Sequence, residues 1–272
     1  MHDISPMHTV EIKFPILKTG KTLKRIVPSS WEECNAWHVL AINHVISQFS
    51  DEHMRKLMLT KLLMKIPGYI FLILPAIYKT QLSLLIHWAL QPMEVTDNKL
   101  KRILVGKKTF YGPDDHFNDL TGVEFMQIDF YLRQFTENKE EATLDLLIAT
   151  IYRPKYSLKM GQTRYCPRSK RIKFDQNEIE SRAKVIKNMA IPAKFYILSW
   201  VQACLKSLET TYWRVFREHE QQESENYGWF ETFKDVTGDA LGNLEDVENH
   251  YLHTILLSIQ VDMKNNEKLK SK

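Results

Sequence analysis

Glycine and proline are scarce in this chain, 9 and 10 among 272 residues. So few breakers exclude a collagen-like or loop-dominated fold and leave long regular elements, mainly helices. Cysteine is scarcer still. Cys34, Cys166 and Cys204 are odd in number and far apart, which gives neither a disulfide framework nor a Cys-x-x-Cys metal knuckle and suits a reducing compartment. The N-terminal stretch MHDISPMHTVEIKF lacks the uninterrupted apolar core of a secretory signal, so no export is expected. Also missing are G-x-S-x-G, a Walker-type phosphate loop and G-x-G-x-x-G, the local signatures of common hydrolase, nucleotide and dinucleotide sites.

What is present is ample core material, 44% hydrophobic and 11% aromatic, enough for one large domain or two small ones. The longest apolar run, GYIFLILPAIYKTQLSLLIHWAL at 68–90, approaches the length of a membrane span. Pro75 divides it, and Lys79, Gln81 and His87 would stand at membrane depth. The pattern instead predicts a buried helix starting near Pro75, with Ile77, Leu84, Leu85 and Trp88 on one face.

Alternation on both sides of Lys18-Thr19-Gly20-Lys21 predicts a β-hairpin over residues 9–27. Ser29 or Ser30, with Glu33 in capping-box spacing from Ser30, predicts a helix from about 30 to Phe49, and Ser50-Asp51-Glu52 a second that ends by Pro67. Residues 91–101 read as a loop and RILVGKKTFYGP as a short strand or extended arm. Helical periodicity follows over 121–136, with Phe125, Ile128, Leu132 and Phe135 on one face, and over 139–152, with Leu144, Leu147, Ile148 and Ile151. Further helices are expected at about 176–189, 192–221, 227–237 and 244–264. The expected fold class is mainly α, a helical bundle-like body with a small N-terminal β-hairpin. The expected division is a hairpin arm at 1–28 and a helical domain at 29–272, with a sub-boundary near 91–112 and a basic loop at 153–175.

One stretch, TFYGPDDHFNDLTGVEF at 109–125, gathers Asp114, Asp115, His116 and Asp119. These could in principle ligate a divalent cation, but an EF-hand count from Asp114 puts Phe125 at the twelfth position, where a bidentate Glu is needed. A turn at Gly112-Pro113 followed by a helix capped at Asp119 or Thr121, with Thr121 and Glu124 as a T-x-x-E box, accounts for more of the residues. The ten histidines are dispersed. His38 and His44 are six apart, and His250 and His253 lie three apart without the acidic companion of an H-E-x-x-H site. No catalytic residue, metal ligand or cofactor is assigned, and no enzyme is expected.

Charge is distributed more tellingly. Residues 146–174 contain no Asp or Glu but carry Arg153, Lys155, Lys159, Arg164, Arg168, Lys170, Arg171 and Lys173, interleaved with Tyr152, Tyr156, Tyr165 and Phe174. Such a segment could neutralise phosphates and stack on unpaired bases. Residues 218–248 hold ten carboxylates, among them Glu218, Glu220, Glu223, Glu225, Asp235 and Asp239, against Lys234 alone. Opposed segments of this kind suit head-to-tail association or a polar partner, and equally two solvated faces.

The motifs PSSWEECNAWHVL (28–40), FYGPDDHFNDLTGVEF (110–125), LLIATIYRPK (146–155), ESRAKVIKNMAIPAKF (180–195) and GWFETFKDVTGDALGNLEDVENHYLHTIL (228–256) occur in this order over most of the chain. In them the sequence resembles a group of proteins encoded among the structural genes of tailed bacteriophages and prophages of Bacteroidetes hosts. The last segment is also similar to proteins of phage tail morphogenesis. The resemblance implies a non-enzymatic role in virion construction, as a tail assembly factor or a head-tail or tail component, and transfers no catalytic residue. It implies other phage structural proteins as partners, in the virion or the host cytoplasm; the charged segments add a homo-oligomer and nucleic acid as further candidates, and the polar residues in 68–90 argue against a membrane partner.

Overall fold

Helices dominate the computed structural model, which describes residues 8–13, 22–156, 169–222, 229–234 and 242–270. The fold is mainly α, as composition and periodicity predict. It divides into two compact units, Met1–Val95 with Ala190–Ser199, and Thr96–Met189 with Trp200–Lys272.

In the first unit β1 (His8–Lys13) and β2 (Thr22–Val27) pair antiparallel, Val10 opposite Arg25 and Glu11 opposite Lys24. Alternation sets the faces: Val10 and Val27 are buried while Glu11 and Lys24 form an exposed ion pair at 2.6 Å. The predicted turn at 18–21 lies outside the described residues. Helix α1 (Ala36–Gln48) starts later than the Ser-Ser-x-x-Glu spacing predicts, because Asn35 accepts from the His38 amide and caps it. Glu33 instead takes the Ser29 amide and hydroxyl at 2.6 and 3.0 Å, closing a turn rather than opening a helix. α2 (Glu52–Leu63) does start as predicted, with the Asp51 carboxylate accepting the Met54 amide at 2.7 Å.

The apolar run at 68–90 becomes three short pieces: α3 (Gly68–Ile73), α4 (Ala76–Leu84) and a 3-10 turn at His87–Leu90. Pro75 has no amide to continue α3 and forces Leu74 into extended geometry (φ −65°, ψ 127°), so the axis restarts at Ala76. Among the described residues no helix is long and apolar enough to cross a membrane. The core of this unit is Val39, Ile42, Val45, Leu59, Leu63, Met64 and Ile86. Trp31 stands edge-on to Trp88 at 5.5 Å and donates to the Gln91 carbonyl.

The second unit opens with a hairpin that the sequence reading took for a strand or arm. β3 (Arg102–Val105) and β4 (Lys108–Tyr111) pair antiparallel around Gly106, whose φ of +59° supplies the tight turn. Tyr111 then bridges Arg153, each amide donating to the other's carbonyl. α5 (Gly122–Asn138) and α6 (Glu141–Ile151) form an antiparallel pair whose inward face is Phe125, Ile128, Leu144, Leu147, Ile148 and Ile151; Leu132 and Phe135 are half-buried. α7 (Ile179–Ile186) packs on α6. After α8 (Ile191–Thr211), which contributes to both units, come α9 (Trp213–Gln222), α10 (Trp229–Lys234), α11 (Leu244–Asn249) and α12 (Leu252–Lys270). Phe125 stands edge-on to Trp229 at 4.9 Å, and Phe216 and Phe233 complete the aromatic cluster. The Leu252 amide donates to Leu120 and the Gly122 amide to His250, joining the starts of α5 and α12.

Candidate interaction surfaces

Two arginines of the basic segment are not on a surface. Arg153 and Arg171 are 3% and 4% exposed, and both converge on Glu124. The Arg153 Nη1 pairs with Glu124 Oε1, and the Arg171 Nη1 donates to the same oxygen at 3.0 Å. Arg171 Nη2 reaches Asp119 Oδ2 at 3.2 Å and the Asp119 carbonyl at 3.1 Å. The other Glu124 oxygen accepts the Thr121 amide and hydroxyl, each at 3.0 Å. One carboxylate thus closes the helix start that the T-x-x-E spacing predicts and centres a buried cluster of two cations and two anions.

Burial works to raise the Glu124 carboxyl, but the charges of Arg153 and Arg171, with hydrogen bonds from Arg153 and Thr121, outweigh it and hold the group below its ordinary range. Burial and the neighbouring Arg171 charge push the Arg153 guanidinium down to about 10, partly offset by Glu124. Both partners therefore stay charged at neutral pH. The interaction role assigned to Arg153 and Arg171 is corrected to a structural one: a guanidinium paired at this depth is withheld from any partner. Sequence separation hid this, since Glu124 lies 29 and 47 residues from its arginines.

Of the remaining basic residues, Lys155, Lys170 and Lys173 are exposed. They flank a stem in which Tyr156 donates to Lys170 and Ile172 to Pro154. Lys159, Arg164 and Arg168 lie outside the described residues, as do Glu223, Glu225, Asp235 and Asp239 of the acidic segment. Glu218 and Glu220 belong to α9.

The stretch 109–125 forms a turn whose carboxylates diverge. Gly112 is required, because a Cβ there would stand 2.7 Å from the Tyr152 ring and 2.8 Å from Asn98 Nδ2. Asp119 Oδ1 accepts the Asp114 amide, and Asp115 accepts the Asn98 amide while pairing with Lys101 at 2.6 Å. Burial and the Asp119 charge raise the Asp114 carboxyl. His116 and Phe117 both adopt positive φ, at 58° and 59°. This puts the Phe117 ring edge-on to Trp200 at 5.0 Å and His116 Nδ1 against the Thr96 hydroxyl. His253 Nε2 is 2.9 Å from the His116 carbonyl, and its Nδ1 3.0 Å from the Tyr212 hydroxyl. Among the described residues no three His, Cys, Asp or Glu are grouped to hold a metal ion. Burial pushes the Cys204 thiol well up, with the Asp115 and Asp97 charges adding to it, and Cys34 is also buried.

The largest departure from expectation is in α3 and α4. Of the face predicted to be buried, Ile77 is 63% exposed, Leu84 71% and Leu85 37%, while Trp88 is half-buried; α3 adds Tyr69 at 69% and Leu72 at 79%. The inward positions are taken by Ile70, Phe71, Leu74 and Ile86. Exposed hydrocarbon is thus gathered on two adjoining short helices. Cations border it. Lys61 Nζ reaches Gly68 at the start of α3, and Lys79 Nζ lies over the Phe71 ring at 5.2 Å, beside the Leu72 carbonyl. Lys56, His53 and His87 line, with Leu84 and Thr80, a cavity of about 200 Å3. A readable signal existed: residues 53–93 contain no Asp or Glu and five cations, Arg55, Lys56, Lys61, Lys65 and Lys79.

Compared with protein-family models, curated proteins and solved structures, the chain matches none of them.

Proposed function

We propose that this chain is a non-enzymatic protein of bacteriophage virion assembly, a tail assembly factor or a head-tail or tail component, that works through protein–protein contacts. The observation that carries the contact reading is the apolar face of α3 and α4, where Tyr69, Leu72, Ile77 and Leu84 are each more than 60% exposed. Hydrocarbon displayed to this extent lowers its free energy by being covered. Of the groups that first suggested chemistry, Asp119 pairs with Arg171 in the interior and Asp115 with Lys101. The virion context rests on the resemblance in motifs. Mass spectrometry of purified particles tests it. A fixed copy number makes the chain a component, and absence from particles that fail to form tails without it makes it an assembly factor. Particles that assemble normally without the chain would overturn the proposal.

The nucleic-acid alternative keeps exposed Lys155, Lys170 and Lys173 but loses Arg153 and Arg171 to the interior. Its signature would be an affinity for single-stranded nucleic acid that falls steeply with added salt.

A further inference from the structure

We propose that the cavity between α2 and α4 receives one aspartate or glutamate side chain of a partner protein, whose neighbouring apolar side chains cover Ile77 and Leu84. This deepens the protein-contact reading, on which it rests, by naming what the partner presents. Helical spacing builds the cavity. His53, Lys56 and Leu57 stand at i, i+3 and i+4 on α2, and Thr80, Ser83 and Leu84 repeat that spacing on α4, with His87 one turn further on. Each set shares one face, and the two helices pack with those faces around the cavity. Both hydroxyls are engaged within α4, Thr80 donating to the Ala76 carbonyl at 3.1 Å and Ser83 to the Thr80 carbonyl at 2.7 Å. Gln91 meets one nitrogen of the His87 ring at 3.1 Å and leaves the other. What remains to meet a ligand is the Lys56 ammonium and imidazole nitrogen, and no carboxylate is among the described lining residues.

The chain itself shows which charge this place attracts. Glu52, one turn before Lys56 on α2, pairs with it at 2.6 Å. The hydrogen bond and charge of Lys56, with a smaller contribution from His87, hold the Glu52 carboxyl below its ordinary range. Glu52 is 67% exposed and does not line the cavity, so the interior stays open to a second carboxylate. Volume narrows the ligand: about 200 Å3 falls below the roughly 300–1,000 Å3 of sites for cofactors and drug-sized molecules, and suits a single side chain. Leu84 identifies its carrier, because it walls the cavity and, with Ile77 at i−7, also belongs to the exposed apolar face. A protein segment brings charge and hydrocarbon to the two together. Residues 53–93, with five cations and no Asp or Glu, supply the field that steers an acidic partner.

NMR of the full chain, isotope-labelled in its histidine rings and titrated with the blocked tripeptide acetyl-Leu-Glu-Leu-amide at fixed pH and ionic strength, tests the proposal. The His53 and His87 ring signals should shift together and saturate around a Kd of about 1 mM, which a ligand of few atoms can reach. The acetyl-Leu-Gln-Leu-amide counterpart should bind at least about tenfold more weakly. Glu52→Gln frees Lys56 and should tighten binding about two- to five-fold, the worth of an exposed ion pair. His53→Gln/Lys56→Gln should abolish it with circular dichroism as in the parent, and Ile77→Ser/Leu84→Ser should weaken the tripeptide while sparing acetate. Equal affinity for the Gln peptide, ring signals that do not move, a Glu52→Gln variant that binds less tightly, or apolar variants that bind like the parent each overturn the proposal. So does inorganic phosphate binding more tightly than the tripeptide, which would assign the cavity to a free anion. Co-sedimentation with phosphatidylglycerol vesicles that His53→Gln/Lys56→Gln abolishes would assign it to a lipid headgroup and overturn it equally. Tripeptide binding is read without particles, so its failure leaves the virion reading standing, and failure of the particle experiment leaves the carboxylate site standing.

Discussion

The two units solve opposite problems. The second draws Asp119, Glu124, Arg153 and Arg171 together in its interior, with Asp145 and Arg182 also buried, while the first leaves Tyr69, Leu72, Ile77 and Leu84 in water. Buried charge is tolerated when every group has a partner, and in the cluster around Glu124 each anion meets a guanidinium. Exposed hydrocarbon is tolerated when its cost is small per residue and something covers it in use. The difference is one of where each unit keeps its costly groups, charge inside in one and hydrocarbon outside in the other. It also explains why Arg153 and Arg171, the two arginines of the basic segment that pair with Glu124, are unavailable for binding.

The sharpest way to break this comparison is to remove one member of the cluster. Glu124→Gln leaves buried Arg153 without its carboxylate and Arg171 with Asp119 alone, and about 3–5 kcal/mol should be lost in urea unfolding of the full chain. A loss below about 1 kcal/mol would show that the cluster is hydrated and contributes little. The same group sets an acid limit. Its folded-state pKa is depressed, so its contribution is complete above the ordinary glutamate value of about 4.3 and drains as pH falls through the lower folded value. The urea midpoint should therefore hold from neutral pH to about 5 and decline below about 4, and the Glu124→Gln variant should show a flatter decline.

Smaller effects are expected in the first unit. Asp51→Ala removes the cap that accepts the Met54 amide at 2.7 Å, and about 1 kcal/mol should be lost, which Asp51→Asn largely restores. Smallest of all is Leu72→Ser. With 79% of the side chain already exposed, stability should stay within about 0.5 kcal/mol of the parent. A large loss there would mean that the face is packed within the monomer and would erase the contrast between the units.

Local patterns were legible. Alternation over 9–27 predicts strands that do pair, Asp51 caps α2, and the Thr121–Glu124 spacing produces the contact it implies. The helical faces of α5 and α6 point inward largely as their periodicity requires. Where two local signals competed, the weaker-looking one could win: Asn35 captured the start of α1 although Ser29 and Glu33 also bond. The hairpin at 102–111 was missed because its strands are four residues each, too short for alternation to distinguish from an extended arm.

By itself, then, the sequence determined the mainly α class, the N-terminal hairpin, and the caps and faces of its stronger helices, because hydrogen bonding and periodicity act over a few residues. Only tertiary structure decided that Ile77 and Leu84 of α4 meet water while Phe71, Leu74 and Ile86 beside them are buried, since apolar residues in one run carry no mark telling core from surface. Tertiary structure alone, too, turned Arg153 and Arg171 from surface cations into partners of Glu124, because a charge finds its counterpart across 29 or 47 residues only once the chain has folded.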